Sequence, residues 1–312
     1  LIVSLSGLPK EDFERKFDAE YAKLHDIKPK TIKNHRTEMI KLFGLVIVSE
    51  DGVVEASDRT KVLIEQQDFR LFFKTFCNRF HFPNAINKQQ ETIKQLENNV
   101  RFKPAQFVLN LLLLGNEKFN KFSVTGAEIS NIVFNDIRVA SGQLKVEDVL
   151  NNLTNMRKGN TRFEGNSRQA QHGREFLGYM YLAGLLDSDD SNRTFFINQK
   201  ELPSIEFIVE NDDFFTIPKS YGADSKIRRT VQDDWQYWFG EVSKIETSKL
   251  GSSQETIEEI EEKTVGKLTK EEEAVAKPAL VSKKDVGDIG ERIVFKHERQ
   301  IITKIRPDKA SL

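Results

Sequence analysis

A single cysteine, Cys77, stands in the 312 residues. That excludes a disulfide framework and any cysteine-based zinc site. Cys77 lies in the apolar-rich run FFKTFCNRF, the setting of a small core residue, not of a nucleophile. This usage is compatible with a reducing compartment, and a cytoplasmic location is expected. No run of about 18 apolar residues occurs, so no transmembrane helix and no membrane partner are expected. The opening LIVSLSGLPK is short, lacks a basic stretch and does not begin with Met, so it does not read as a signal peptide. The other end stops at PDKASL, and both termini read as trimmed. An excess of one charge sign is also missing. Lys and Arg number 47 against 48 Asp and Glu, a net charge of -1, which averages over regions of opposite sign and by itself names no partner. No Gly-rich phosphate loop is present, because GNEKFNKFS and GLPKED lack the spacing and the Gly-Lys-Ser/Thr ending. The five His contain no His-x-x-x-His pair, and no Ser or Cys has a recognisable nucleophile frame.

What is present is a globular composition, with 38% hydrophobic residues, 30% charged residues and 23 Phe. The Phe content supplies aromatic mass for real cores. The length suggests two or three domains. Residues 9–25 begin with Pro and acids and then place Phe13, Phe17, Tyr21 and Leu24 at helical spacing. After the turn DIKPK a helix is expected over about 31–42. Gly44 fits the position just past its end. LVIV and VVEA flank SEDG as a hairpin. Helix, turn, helix and hairpin is the order of a winged helix. Helices follow over 59–80 and 86–99, then over 104–114, 125–134, 144–157 and 169–183. The last of these leads into AGLLDS, a polar turn and TFFIN, repeating the plan of helix, Gly-Leu corner, turn and strand. The expected fold is therefore mainly α with small β-hairpins (α+β), built on two winged-helix subdomains. Residues 1–82 form the first, 83–103 a connector, and 104–200 the second with extra helices. Residues 201–243 are a mixed packing segment in which Trp235, Trp238 and Phe239 anchor a short helix. Residues 244–285 are a charged linker, helical in parts, and 286–312 begin a further domain.

The basic elements point to DNA. On a helical wheel of residues 32–43, Ile32, Met39, Ile40, Leu42 and Phe43 share one arc, and Asn34, Thr37 and Lys41 lie opposite. Lys33 is at the edge, while His35 and Arg36 fall within the apolar span. Six Lys/Arg and two acids lie between Lys23 and Lys41. Such a helix can enter a major groove, with Lys28, Lys30, Lys33 and Lys41 on phosphates. Asn or Arg then read base edges, whose donor and acceptor spacings they match. In the second unit Arg162 and Arg168 sit in a Gly/Asn/Ser-rich loop. Gln171 and Arg174 point away from Phe176, Leu177 and Met180, and Gly178 on the outer side permits close approach of a partner. A solvated basic face, an interaction surface for protein, and an internal partner for Arg36 remain alternatives on spacing alone.

Four blocks in order carry a resemblance: KTIKNHRTEMIKLFGLV, FFKTFCNRFHFPN, RFKPAQFVLNLLLL and SRQAQHGREFLGYMYLAGLL. Together they resemble the N-terminal recognition region of BpuJI-like type IIS restriction endonucleases over about residues 20–240. The resemblance implies two winged-helix subdomains that together read a short asymmetric site in double-stranded DNA. It brings His35 and Arg36 in NHRTE into the recognition set. GDIGERIVFKHER at 287–299 resembles the first helix of a PD-(D/E)xK-type nuclease domain, in which Glu291 and Glu298 are the candidate carboxylates. The Asp and the Glu-x-Lys that would hold a metal and position water do not follow the dipeptide PD at 307–308. A Mg²⁺-dependent phosphodiesterase needs such clustered carboxylates. Hence Mg²⁺ is expected for a full-length enzyme, no cofactor or metal site is expected in this chain, and a homodimer through a nuclease domain beyond it is an expected partner. The alternatives to DNA recognition within a restriction endonuclease are a winged-helix transcription regulator and a protein-interaction module of a defence system.

Overall fold

The computed structural model describes residues 1–24, 29–161, 163, 167–189 and 193–251. Over these residues the chain is mainly helical with two small antiparallel sheets, in keeping with the α+β class. The first unit runs β1 (Leu8–Pro9), α1 (Lys10–Leu24), α2 (Pro29–Thr37), a wider π-type turn (Glu38–Leu42), β2 (Val46–Val48) and β3 (Val53–Ala56). Glu11 and Asp12 in the first turn of α1 complement the positive end of the helix. Phe13, Phe17 and Tyr21 then stack at centroid distances of 6.0 and 5.6 Å. With Ile32, Ile40, Val46 and Val54 they form a small core of their own.

α3 (Asp58–Gln66) and α4 (Phe69–Arg79) follow. The sequence predicts one helix over 59–80, but the structure breaks it. Gln67 takes a left-handed φ of 54°, and the Asp68 side chain restarts the helix by accepting from the Leu71 N–H at 2.8 Å. α5 (Gln89–Glu97) leads into the second unit: α6 (Pro104–Phe119), β4 (Val124–Thr125), α7 (Gly126–Ile129), α8 (Ile137–Ala140), α9 (Val146–Lys158), α10 (Arg168–Leu182), β5 (Leu186–Ser188) and β6 (Thr194–Ile197). α11 (Leu202–Glu210), α12 (Ser225–Gly240) and α13 (Lys244–Leu250) complete the described chain. The mixed segment thus holds a long helix, since α12 has 16 residues. The charged segment opens with α13, which is helical because Glu246 and Leu250 are buried there.

The two sheets share one plan. Their strand orders are β1-β3-β2 and β4-β6-β5, with the last strand central in each. Both hairpins are entered through a glycine of positive φ, Gly44 at +62° and Gly184 at +73°. Glycine adopts this conformation without the Cβ penalty. Past each glycine the chain closes alike. The Leu45 N–H donates to Ile40 C=O at 3.0 Å, and the Leu185 N–H donates to Met180 C=O at 3.0 Å.

α4 lies between the units and is buried along most of its length. Its Phe76 and Cys77 are 0% exposed, and burial holds the Cys77 thiol protonated. Its cations find partners far along the chain. Lys74 Nζ meets Glu201 at 2.7 Å and donates to Ser204 Oγ at 3.2 Å. Arg79 grips Glu246 through Nε at 2.8 Å and Nη2 at 2.7 Å, and Asn78 donates to the same carboxylate at 2.9 Å. Burying a cation demands such a partner, because an unpaired one loses its hydration without return. Phe43 at the first corner and Tyr179 of α10 meet edge to face at 5.4 Å beside Phe76. The corner of one unit and a helix of the other therefore touch the same central helix.

Candidate nucleic-acid interface

α2 carries the first group of candidates. Ile32 and Ile40 are buried, and Arg36 lies midway between them on the same stripe. The stripe draws Arg36 inward to 8% exposure. There Nη1 meets Glu14 at 2.7 Å and Nε meets Asp18 at 2.9 Å, two acids one turn apart on α1. The resemblance sets Arg36 in the recognition set, and its contacts within the fold are with α1. It is an ionic link between α1 and α2, because a guanidinium on a buried stripe needs carboxylates within reach. Lys30, Lys33 and Lys41 are exposed. Although Lys41 keeps contact with solvent, partial burial and the neighbouring Lys10 ammonium lower its pKa. Asn34, His35 and Thr37 lie in α2, and the structure describes their backbone alone. Lys28 lies outside the described residues.

α10 carries the second group. Arg168 opens this helix and is described in its backbone alone, and Arg162 lies outside the described residues. Gln171 is exposed and donates from Nε2 to Glu175 Oε1 at 2.9 Å. His172 Nδ1 faces the same carboxylate at 3.4 Å. Arg174 is half-buried, with its stem laid over Gly126. Here α7 and α10 cross so closely that a Cβ on Gly173 would stand 2.1 Å from the Gly126 carbonyl oxygen. Gly178, by contrast, faces open space. Arg157, which the sequence placed beside this group, is tied to Glu128 at 2.7 and 2.8 Å and to the Ser123 carbonyl. Arg157 and the stem of Arg174 therefore brace the fold.

Sequence reading missed Lys10. It opens α1 and lines the same cleft as Lys33 and Lys41. Its signal, a cation next to the acidic first turn, reads as ordinary helix chemistry. Glu291 and Glu298 lie outside the described residues. Among the described residues, no three His, Cys, Asp or Glu side chains gather as metal ligands, and no helix is long and apolar enough to cross a membrane.

Residues 1–239 match the family described as restriction endonuclease BpuJI, N terminal. Among solved structures, a similar one is the crystal structure of pyrene- and phenanthrene-modified DNA in complex with the BpuJ1 endonuclease binding domain. It superposes with a TM-score of 0.67 at 26% identity, covering 75% of this chain and 87% of that one. No curated protein matches the chain.

Proposed function

The chain belongs to the BpuJI N-terminal family of restriction endonucleases, and from that premise we propose that it recognises a specific sequence in double-stranded DNA on behalf of a type IIS-like enzyme. The observation that carries this reading is the repeated plan of helix, glycine corner and hairpin, with the last strand central in both sheets. We read each repeat as a winged helix, with α2 and α10 as the recognition helices. The similar binding domain was crystallised with modified DNA, which supports the same partner here.

In this reading Lys28, Lys30, Lys33 and Lys41 hold the duplex by its phosphates, releasing counterions and fixing register. Asn34 and Thr37 meet base edges from α2, with His35 beside them. Asn suits adenine, because its amide offers one donor and one acceptor at the spacing of that base's major-groove edge. Arg162, Arg168, Gln171 and Arg174 serve the second half of the site. Arg36 acts indirectly, by holding α2 against α1. The phosphodiester chemistry would belong to a nuclease domain that takes Mg²⁺ and pairs two copies, for which Glu291 and Glu298 are the candidate carboxylates within this sequence.

Selection of bound molecules from a pool of random duplexes tests the reading. Enrichment of one short asymmetric motif, with binding that weakens steeply as salt rises, is the expected result. Binding without any enriched motif would reject it.

A further inference from the structure

We propose that the cleft between the first unit and α12 is a phosphate-binding site built on Lys10 and Lys41. The cleft encloses about 200 Å³. One wall is formed by α1, α2 and the first sheet, the other by Gln232, Asp233 and Gln236 of α12 with Ala85 and Ile86. Its floor is apolar, because Phe13, Ile40, Val46 and Val54 are all buried there. Four cations line it, Lys10, Lys33, Arg36 and Lys41, against two carboxylates, Glu14 and Asp233.

The charges are not alike. Arg36 is neutralised by Glu14 and Asp18. Among the described residues neither Lys10 nor Lys41 has a carboxylate within 4.0 Å. These two ammoniums feel each other, and Glu14 and Asp233 attract Lys41 through space, Asp233 also Lys10, without closing an ion pair. Two cations above an apolar floor have no ion pair within 4.0 Å among the described residues, and low local polarity strengthens their attraction for an anion that reaches both. A phosphate group has several oxygens and can bridge both ammoniums at once, which a single carboxylate oxygen does less well. Gln236 donates to the Lys41 carbonyl at 3.4 Å, and its buried Oε1 has no partner. That oxygen is free to accept from a hydroxyl or a water carried in with the anion.

The phosphate comes either from the backbone of a bound duplex or from free inorganic phosphate. Only the first source rests on the reading above. The test is lysine acylation of the full 312-residue chain, followed by mass spectrometry, with no addition, with inorganic phosphate, and with a duplex from the selection. Lys94 on α5, which is exposed, is the internal reference. Several-fold slowing at Lys10 and Lys41 by inorganic phosphate assigns a free-phosphate site. Slowing by duplex alone assigns a backbone phosphate. In that case Lys10→Gln and Lys41→Gln each lower the salt slope of duplex binding by about 1, with melting temperature unchanged. Unaltered rates at both lysines with either probe overturn the proposal. A chain that binds no duplex, yet is protected by phosphate, rejects DNA recognition while the cleft site stands.

Discussion

At the scale of single residues, position on a helix decides whether a basic side chain serves the fold or a partner. Arg36 and Lys33 are three residues apart on α2, yet one is locked to Glu14 and Asp18 and the other is exposed. The wheel already set Arg36 within the apolar span, so its inward turn was legible. Its two carboxylates were not, because they sit on another helix. We expect Lys33→Ala to weaken binding to all duplexes alike and to lower the salt slope by about 1. Asn34→Ala should relax preference at one base pair, costing about 1–3 kcal/mol there. Comparing both variants on matched and singly altered duplexes checks this, and equal losses on every duplex would contradict the roles. Two buried groups set a pH dependence. His81 is packed among Phe214, Trp235 and Trp238, and its Nε2 accepts from the Phe215 N–H at 3.0 Å. Burial, helped by the nearby Lys103 ammonium, lowers its pKa from 6.5 to about 3. The unfolded chain therefore binds that proton more readily, and stability falls as pH drops from 6.5 toward 3. Burial alone would raise the pKa of Glu246, but its bonds to Arg79 hold it at about 2 against an ordinary 4.5. Its contribution is present above pH 4.5 and is lost as pH falls toward 2. Urea midpoints measured from pH 7 to 3 should decline throughout, and Glu246→Gln should remove the steepening below 4.5.

At the scale of elements, periodicity and punctuation found what local chemistry determines. The acid-led start of α1, the glycine at each corner and the Ser-Glu-Asp-Gly turn all read directly from the chain. The break between α3 and α4 did not, because the apolar spacing runs on through Gln67 and Asp68. Nor did the length of α12, whose buried face is made by β2, α3 and α4, far away along the chain. The crossing of α7 and α10 shows the same limit, since the wheel sets Gly178 outward and Gly173 inward but does not say that α7 is what Gly173 meets. Gly173→Ala forces a Cβ against the Gly126 carbonyl and should cost about 1–3 kcal/mol through overpacking. Gly178→Ala meets nothing and should stabilise α10 by up to about 1 kcal/mol through helix propensity. Thermal melts of the two variants should therefore shift in opposite directions.

At the scale of the whole molecule, α4 is the part the sequence hid most completely. Its partners lie 127 residues away at Glu201 and 167 residues away at Glu246. Read locally, Arg70, Lys74 and Arg79 are a solvated face beside a Phe stripe. Read in the fold, they are buried and each faces an acid from the C-terminal helices. The C-terminal segment is thus part of the main core, to which Trp235, Phe239 and Leu250 also belong. A chain ending at residue 200 should fail to fold, because it strands buried cations and opens the aromatic core. Loss of cooperative melting and of dispersed amide resonances would report this, whereas a well-dispersed spectrum would refute it.

The sealed charges of α4 also govern how the molecule opens. Pulling the C-terminal segment away from α4 would strip Lys74 and Arg79 of Glu201 and Glu246 while both cations are still buried. Such a seam does not breathe in small steps. Amide hydrogens on α2 and α10, though they belong to different units, should then exchange with solvent in one shared slow event when denaturant is low, as if the chain had a single clasp.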